Sequence, residues 1–401
     1  MKVSTFTAAI LQKMTGIKKC QAIFISHVVM LFLSMRSRKN FLMMARYSDL
    51  SEQTYRNNFE KDFDFKAANS ILIKEHCGSD LAFIFDPSYI KKSGKKTPGT
   101  GYFWSGCANS VKWGMEISSL AVADMENHTA MHYHAQQTQY VKTKDEDTLR
   151  TYYSKLIAAQ APDMLKISNI IILDAFFSKQ GFVDSMCELG LCMVSRLQSN
   201  IYLKYAYTGE REKKPGRPKI YDGKVDLKNL REDHFTVLKK TDDEIVYQGV
   251  VHVRALGRWC SVVIVHIMKD EKVHKALVYF STDKEMAGEK VYQYYKMRYQ
   301  IEFLFRDTKN HLGLEDSQSR QPKALDFHFN MALTTLNIAK AMHWYSIPKE
   351  QRTTFSIQNI KTQYINQFIL DRLILIYGKD PNLEINNPHI RELYDLGRIT
   401  A

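Results

Sequence analysis

No Cys-x-x-Cys pair occurs among the six cysteines (Cys20, Cys77, Cys107, Cys187, Cys192 and Cys260), and a chain of 401 residues does not need disulfides to fold. A disulfide scaffold is therefore excluded, and a reduced, cytosolic protein is expected. Cys187 and Cys192 lack a second Cys or His pair at zinc-finger spacing, and His132 with His134 stands alone, so no zinc site is expected. Long apolar runs are missing as well. The most apolar stretch, 22–35, is interrupted by His27 and falls short of the roughly 20 residues that span a bilayer. It reads as a buried helix, with neither a membrane anchor nor a secretory signal in view. There is no internal repeat. A composition of 45% hydrophobic and 25% charged residues rules out collagenous and wholly disordered chains and leaves an ordinary globular protein of about two or three domains.

Acid is in short supply relative to base: 43 Asp and Glu against 56 Lys and Arg, a net charge of +13. Such a surplus favours a polyanionic partner, nucleic acid or an anionic membrane surface, without choosing between them.

Residues 1–66 carry apolar positions at helical spacings and no strand-like alternation, which predicts an all-helical head. Within it Ser51 is placed to cap a helix that turns Gln53, Arg56 and Asn57 outward, similar to a helix-turn-helix recognition helix and equally to any capped basic surface helix. The apolar run 81–85 predicts a strand covered on both faces and ended by Asp86. Further strands are expected at 110–117, 119–123 and 167–173, the last ended by Asp174, with a helix over 145–159. From about 194 the texture turns β-rich, with strands near 201–207, 234–238, 245–253, 259–267 and 276–280. Inside this stretch Lys213-Lys214-Pro215-Gly216-Arg217-Pro218-Lys219 reads as an extended basic loop, since two prolines and a glycine interrupt the cationic run. Helices follow at 289–309, 325–345 and 353–377.

Asp86 and Asp174, each after a buried strand, can converge outside the carboxyl ends of a sheet and suit a hard divalent cation. Taken singly, an Asp in that position is more often a turn former or helix cap. The helix 289–309 adds Tyr295, Arg298, Glu302 and Lys309 at the spacing Y-x2-R-x3-E-x6-K. At about 100° per residue these four lie near 0°, 300°, 340° and 320°, while Met297, Ile301 and Leu304 fall between about 180° and 240° on the docking side. An Arg298–Glu302 ion pair on a solvated helix would explain two of the four polar residues, but not Tyr295 and Lys309.

Taken together, Asp86, Asp174, the β-rich stretch and the Y-x2-R-x3-E-x6-K helix resemble the DDE transposases of bacterial insertion sequences that carry a Tyr-Arg-Glu-Lys signature; Asp86-Pro87-Ser88-Tyr89-Ile90 and Lys92-Ser93-Gly94-Lys95 are also similar. The resemblance implies an α/β fold: an RNase H-like mixed sheet flanked by helices over 75–320, interrupted by a β-rich insertion at about 194–275, with a helical DNA-binding region at 1–66 and a C-terminal helical segment at 321–401. It implies cut-and-paste transposition, with Asp86, Asp174 and Glu302 as catalytic carboxylates holding Mg²⁺, for which Mn²⁺ can substitute. Tyr295, Arg298 and Lys309 would grip the phosphate beside the cut. Trp259, otherwise a core tryptophan, would stack on a base turned out of the duplex. Arg217, on a loop that is otherwise simply solvated, would enter a minor groove, and Arg56 would contact element ends. The implied partner is double-stranded DNA, bound by a homodimer in the cytoplasm, with no membrane. A transposase-derived DNA-binding protein that no longer cuts is the alternative.

Overall fold

The computed structural model describes residues 3–139, 146–198, 200–210, 218–345, 347, 348, 351, 355–384 and 387–399. Five helices precede the first strand: α1 (Val3–Gln12), α2 (Lys19–Ser34), α3 (Phe41–Arg46), α4 (Glu52–Phe59) and α5 (Phe65–His76). Asn40, Ser51 and Asp64 cap three of them in succession, each accepting a backbone N–H three residues on, so the turns are written in side-chain oxygens. The apolar run 22–35 becomes α2 and is buried as expected: Val28, Val29, Leu31, Phe32 and Leu33 are fully covered. No described helix is long and apolar enough to cross a membrane.

The strands are β1 (Leu81–Lys91), β2 (Gly101–Ser105), β3 (Ser110–Asp124), β4 (Thr129–Gln137), β5 (Ile170–Ile172), β6 (Cys192–Leu197), β7 (Leu203–Ala206), β8 (Tyr221–Lys224), β9 (Thr236–Lys240), β10 (Glu244–Val253), β11 (Arg258–Lys269) and β12 (Lys272–Ser281). They form one mixed sheet in the order β2-β3-β1-β5-β6-β12-β11-β10-β7-β8, with β4 on β3 and β9 on β10. Its centre is β4-β3-β1-β5-β6, antiparallel across β4, β3 and β1 and parallel across β1, β5 and β6, an RNase H-like arrangement. Helices α6 (Glu146–Met164) and α7 (Gln180–Glu188) make the crossovers to β5 and β6. After β12 come α8 (Gly288–Lys296), α9 (Tyr299–His311), α10 (Pro322–Tyr345), α11 (Ile357–Ile376) and the short α12 (Pro381–Glu384) and α13 (Pro388–Asp395).

Four expectations change. The segments 110–117 and 119–123 are a single strand, β3. Strand β4 went unforeseen, because His132, His134, Gln136 and Gln137 obscure any apolar alternation. Asp86 does not end β1, which runs on through Pro87 to Lys91 because β3 continues to pair with it. The helix expected at 289–309 is two helices, parted at Met297 and Arg298 where the backbone tightens to i,i+3 hydrogen bonds.

Helix α10 closes the free edge of β4 with side chains. Asp326 Oδ1 accepts from Gln137 N (2.8 Å), Asn330 exchanges two bonds with the Ala135 backbone (2.9 and 2.7 Å), Asn337 does the same with His132 (2.8 and 2.7 Å), and Lys340 Nζ donates to Ala130 O (2.8 Å). At about 100° per residue these four positions share one stripe of the helix, so it stands in for a missing strand.

Candidate active site

The parallel register Phe83↔Ile171 and Ile84↔Ile172 ends with β5. Two residues further along the chain stand Asp86, still in β1, and Asp174, past the end of β5, so the same register carried on would set them level with each other. The short β5 is followed by a one-turn helix, Ala175–Phe177, for which Asp174 is the N-cap: its Oδ1 accepts from Ala175 N, and its carbonyl accepts from Ser195 Oγ at 3.1 Å. Both the capping role and the site position therefore belong to Asp174.

Asp86 is the most perturbed carboxylate of the site. Burial pushes it up, Arg298 pulls it down, and Glu302, Asp174 and Glu116 push it up again, to about 8. It keeps part of its surface open to solvent. Three carboxylates thus act on a fourth, with one guanidinium opposing them, which puts Asp174 and Glu302 of α9 within electrostatic reach of Asp86.

Met297, Ile301 and Leu304 are buried, as the docking side requires. Arg298 is also buried. Its Nη2 donates to Glu302 Oε1 at 2.6 Å, its Nε has no partner, and its guanidinium lies 4.3 Å from the Tyr299 ring. Burial works against the Arg298 charge, yet Glu302 and Asp86 outweigh it and hold the pKa above its ordinary value. Glu302 is exposed. Because the helix breaks at Met297 and Arg298, Tyr295 sits on α8 rather than on one stripe with the others; it is buried against Tyr279 (4.7 Å between rings), and burial, with Asp174 nearby, pushes its hydroxyl up to about 12. Lys309 reaches back to β1, donating to Ser88 Oγ (3.0 Å) and Tyr89 O (2.6 Å), and burial lowers its pKa.

Glu116 was not foreseen. It lies on β3, is buried, and accepts a hydrogen bond from Tyr153 O–H at 2.6 Å; burial pushes it up to about 7. A single charged residue in the 114–123 run was the available signal.

The remaining sequence candidates stand apart from this cluster in the chain. Arg56 is exposed on α4 with Gln53 and Asn57, paired with Glu52. Trp259 is half-buried at the start of β11 against Tyr221 and His252. Arg217 lies outside the described residues.

Only oxygen donors line the cluster, and their mutual repulsion is what a hard divalent cation relieves, so the donor set fits one. Among the described residues, however, no three acidic, His or Cys side chains stand placed to hold one metal ion together. The RNase H-like sheet thus carries Asp86 on one strand and Asp174 just past the end of its parallel neighbour, with Glu302 on a helix that follows the β-rich stretch. The chain belongs to the family described as Transposase DDE domain, whose model matches residues 81–338, from β1 into α10. No curated protein matches it.

Proposed function

We propose that the protein is a DNA transposase that excises an insertion sequence by cut-and-paste transposition, through phosphodiester hydrolysis and strand transfer at the element ends. The observation that carries this reading is an Asp86 acted on at once by Asp174, Glu302 and Arg298, in a chain of the Transposase DDE domain family. The three carboxylates would hold Mg²⁺, or Mn²⁺ in its place, which when bound supplies charge neutralisation at the attacking and leaving oxygens.

The protein's own groups do the rest. Arg298, buried with a free Nε–H, offers a fork to the phosphate beside the cut, releasing Glu302 as it turns. Lys309 places a point charge beside β1, and Tyr295 donates a hydrogen bond from the α8 side. Arg56 and its neighbours on α4 contact the ends within the 1–66 region, Arg217 reaches a minor groove and Trp259 stacks on an extruded base. The catalytic core spans 75–320 with its insertion at about 194–275, and 321–401 forms a C-terminal helical segment. The protein acts in the cytoplasm as a homodimer when bound to DNA.

A plasmid bearing the element's own ends tests this. With Mg²⁺ the wild type is expected to cut at the ends, and Asp86→Ala to leave them intact while still folded; equal cutting by both would refute the assignment. The second reading, a transposase-derived DNA-binding protein that does not cut, is favoured by the lack, among the described residues, of three acidic, His or Cys side chains placed to hold one ion together. End binding without cutting by the wild type would select it.

A further inference from the structure

Strands β11, β10, β7 and β8 lie side by side, and their register sets a row across four strands: Trp259 opposite His252, His252 opposite Lys204, Lys204 opposite Lys224. Directly opposed residues share a face of the sheet. A register shift after Lys204 brings in Tyr221, whose ring lies 4.9 Å from His252 and 5.8 Å from Trp259, with Lys204 Nζ 4.1 Å from its centre. Tyr202 extends the face. Its carbonyl accepts from Arg254 N (3.1 Å), and its ring is approached by Lys224 at 5.3 Å, Arg254 at 5.4 Å and Lys204 at 5.9 Å.

Three cations around one exposed ring repel one another. Among the described residues none of the three pairs with a carboxylate, and the nearby Asp222 is engaged by Lys219 and Arg231. Such a face attracts a polyanion. Its rings add a second requirement, because a stacking platform needs the flat faces of bases, which a duplex keeps stacked on each other.

The geometry points to a single-strand platform: Tyr202 and Tyr221 stack on unpaired bases of DNA while Lys204, Lys224 and Arg254 hold the adjoining phosphates. This rests on the reading that the protein handles DNA, and it assigns the unpaired stretch to the β7–β8 face rather than to the carboxylates.

Fluorescence anisotropy on the full-length protein in chelator decides the matter, with labelled oligothymidylate of about 15 nucleotides and a duplex of equal length as probes. Tyr202→Ala with Tyr221→Ala is expected to weaken single-strand binding roughly 10–100-fold and to leave the duplex little changed, and Phe at both positions to restore it. Unchanged single-strand affinity, or an equal loss on the duplex in a protein that melts like the wild type, overturns the proposal. Should the Ala variant not fold, Lys204→Gln with Arg254→Gln decides: the salt slope is expected to fall by about 0.7 per lost contact, and an unchanged slope overturns it. Binding is read without cleavage, so its failure leaves the transposase reading intact, and uncut ends leave this platform intact.

Discussion

Two polar regions are built on the same sheet and behave in opposite ways. At the edge of β4, Asp326, Asn330, Asn337 and Lys340 meet backbone groups one for one, and Asn69 ties Asn337 to the Tyr133 carbonyl. Burial pushes His132 in this region down to about 3, so it stays neutral and adds no charge to the network, and its one unpartnered ring nitrogen, Nδ1, is uncharged. Beyond the end of β5, Glu302, Asp174 and Glu116 press on Asp86, Arg298 answers only Glu302 and Asp86 and leaves an N–H unmatched, and Asp86 is driven up to about 8. Satisfied polar groups hold a helix to a sheet; a surplus of like charge held in place is a binding site for something of opposite charge.

The contrast can be broken at either end. The largest effect is expected from Asp86→Asn, which should lower end cleavage at least roughly 10³-fold with the melting temperature unchanged or raised, because a repelled carboxylate is removed; a large loss of stability would move Asp86 into the structural class. Next, Asn337→Leu strips partners from both His132 backbone groups and should cost about 2–5 kcal/mol in urea unfolding, with cleavage by the remaining folded protein unaffected. Arg298→Gln and Lys309→Met separate two residues that the sequence treats alike. The first should reduce cleavage at little cost in stability. Lys309→Met should also cost about 1–2 kcal/mol, since Lys309 bonds Ser88 and Tyr89 of β1.

The smallest effect is on the pH dependence of stability. Lys361 donates to Phe32 O and Met35 O beside Lys39, and burial pushes it from 10.5 down to about 6, with Lys39 also lowering it and Asp316 raising it. Between those values the unfolded chain binds the extra proton, so the stability Lys361 contributes rises with pH from about 6 towards 10. In urea unfolding at pH 6.5 and 9, Lys361→Met should gain less stability with pH than the wild type; Lys39 and Lys340 act in the same direction as Lys361, and Asp86 and Glu116, raised to about 8 and about 7, act against it in both proteins.

Much of the site was legible because it follows from strand ends and helix faces. The apolar run before Asp86, the Ile run before Asp174 and the docking side of Met297, Ile301 and Leu304 are local patterns, and burial follows from them. What was not legible depends on contacts distant in sequence. Strand β4 reads as polar because its edge is completed by α10, some two hundred residues later. Equal turns of 100° cannot anticipate the tightened backbone at Met297 and Arg298, which separates Tyr295 from the stripe. Glu116 joins the site only because β3 pairs with β1 along its whole length. Lys309, placed by spacing beside Glu302, turns out to bind the backbone of β1 as well.

The claim that the three carboxylates act as one cation site is tested most directly by Mn²⁺ binding to the full-length protein, measured by electron paramagnetic resonance in the wild type and in Asp86→Asn, Asp174→Asn and Glu302→Gln. Binding by the wild type, weakened about 10-fold or more in each variant, is the expected result; Mn²⁺ binding that survives all three substitutions unchanged would contradict it.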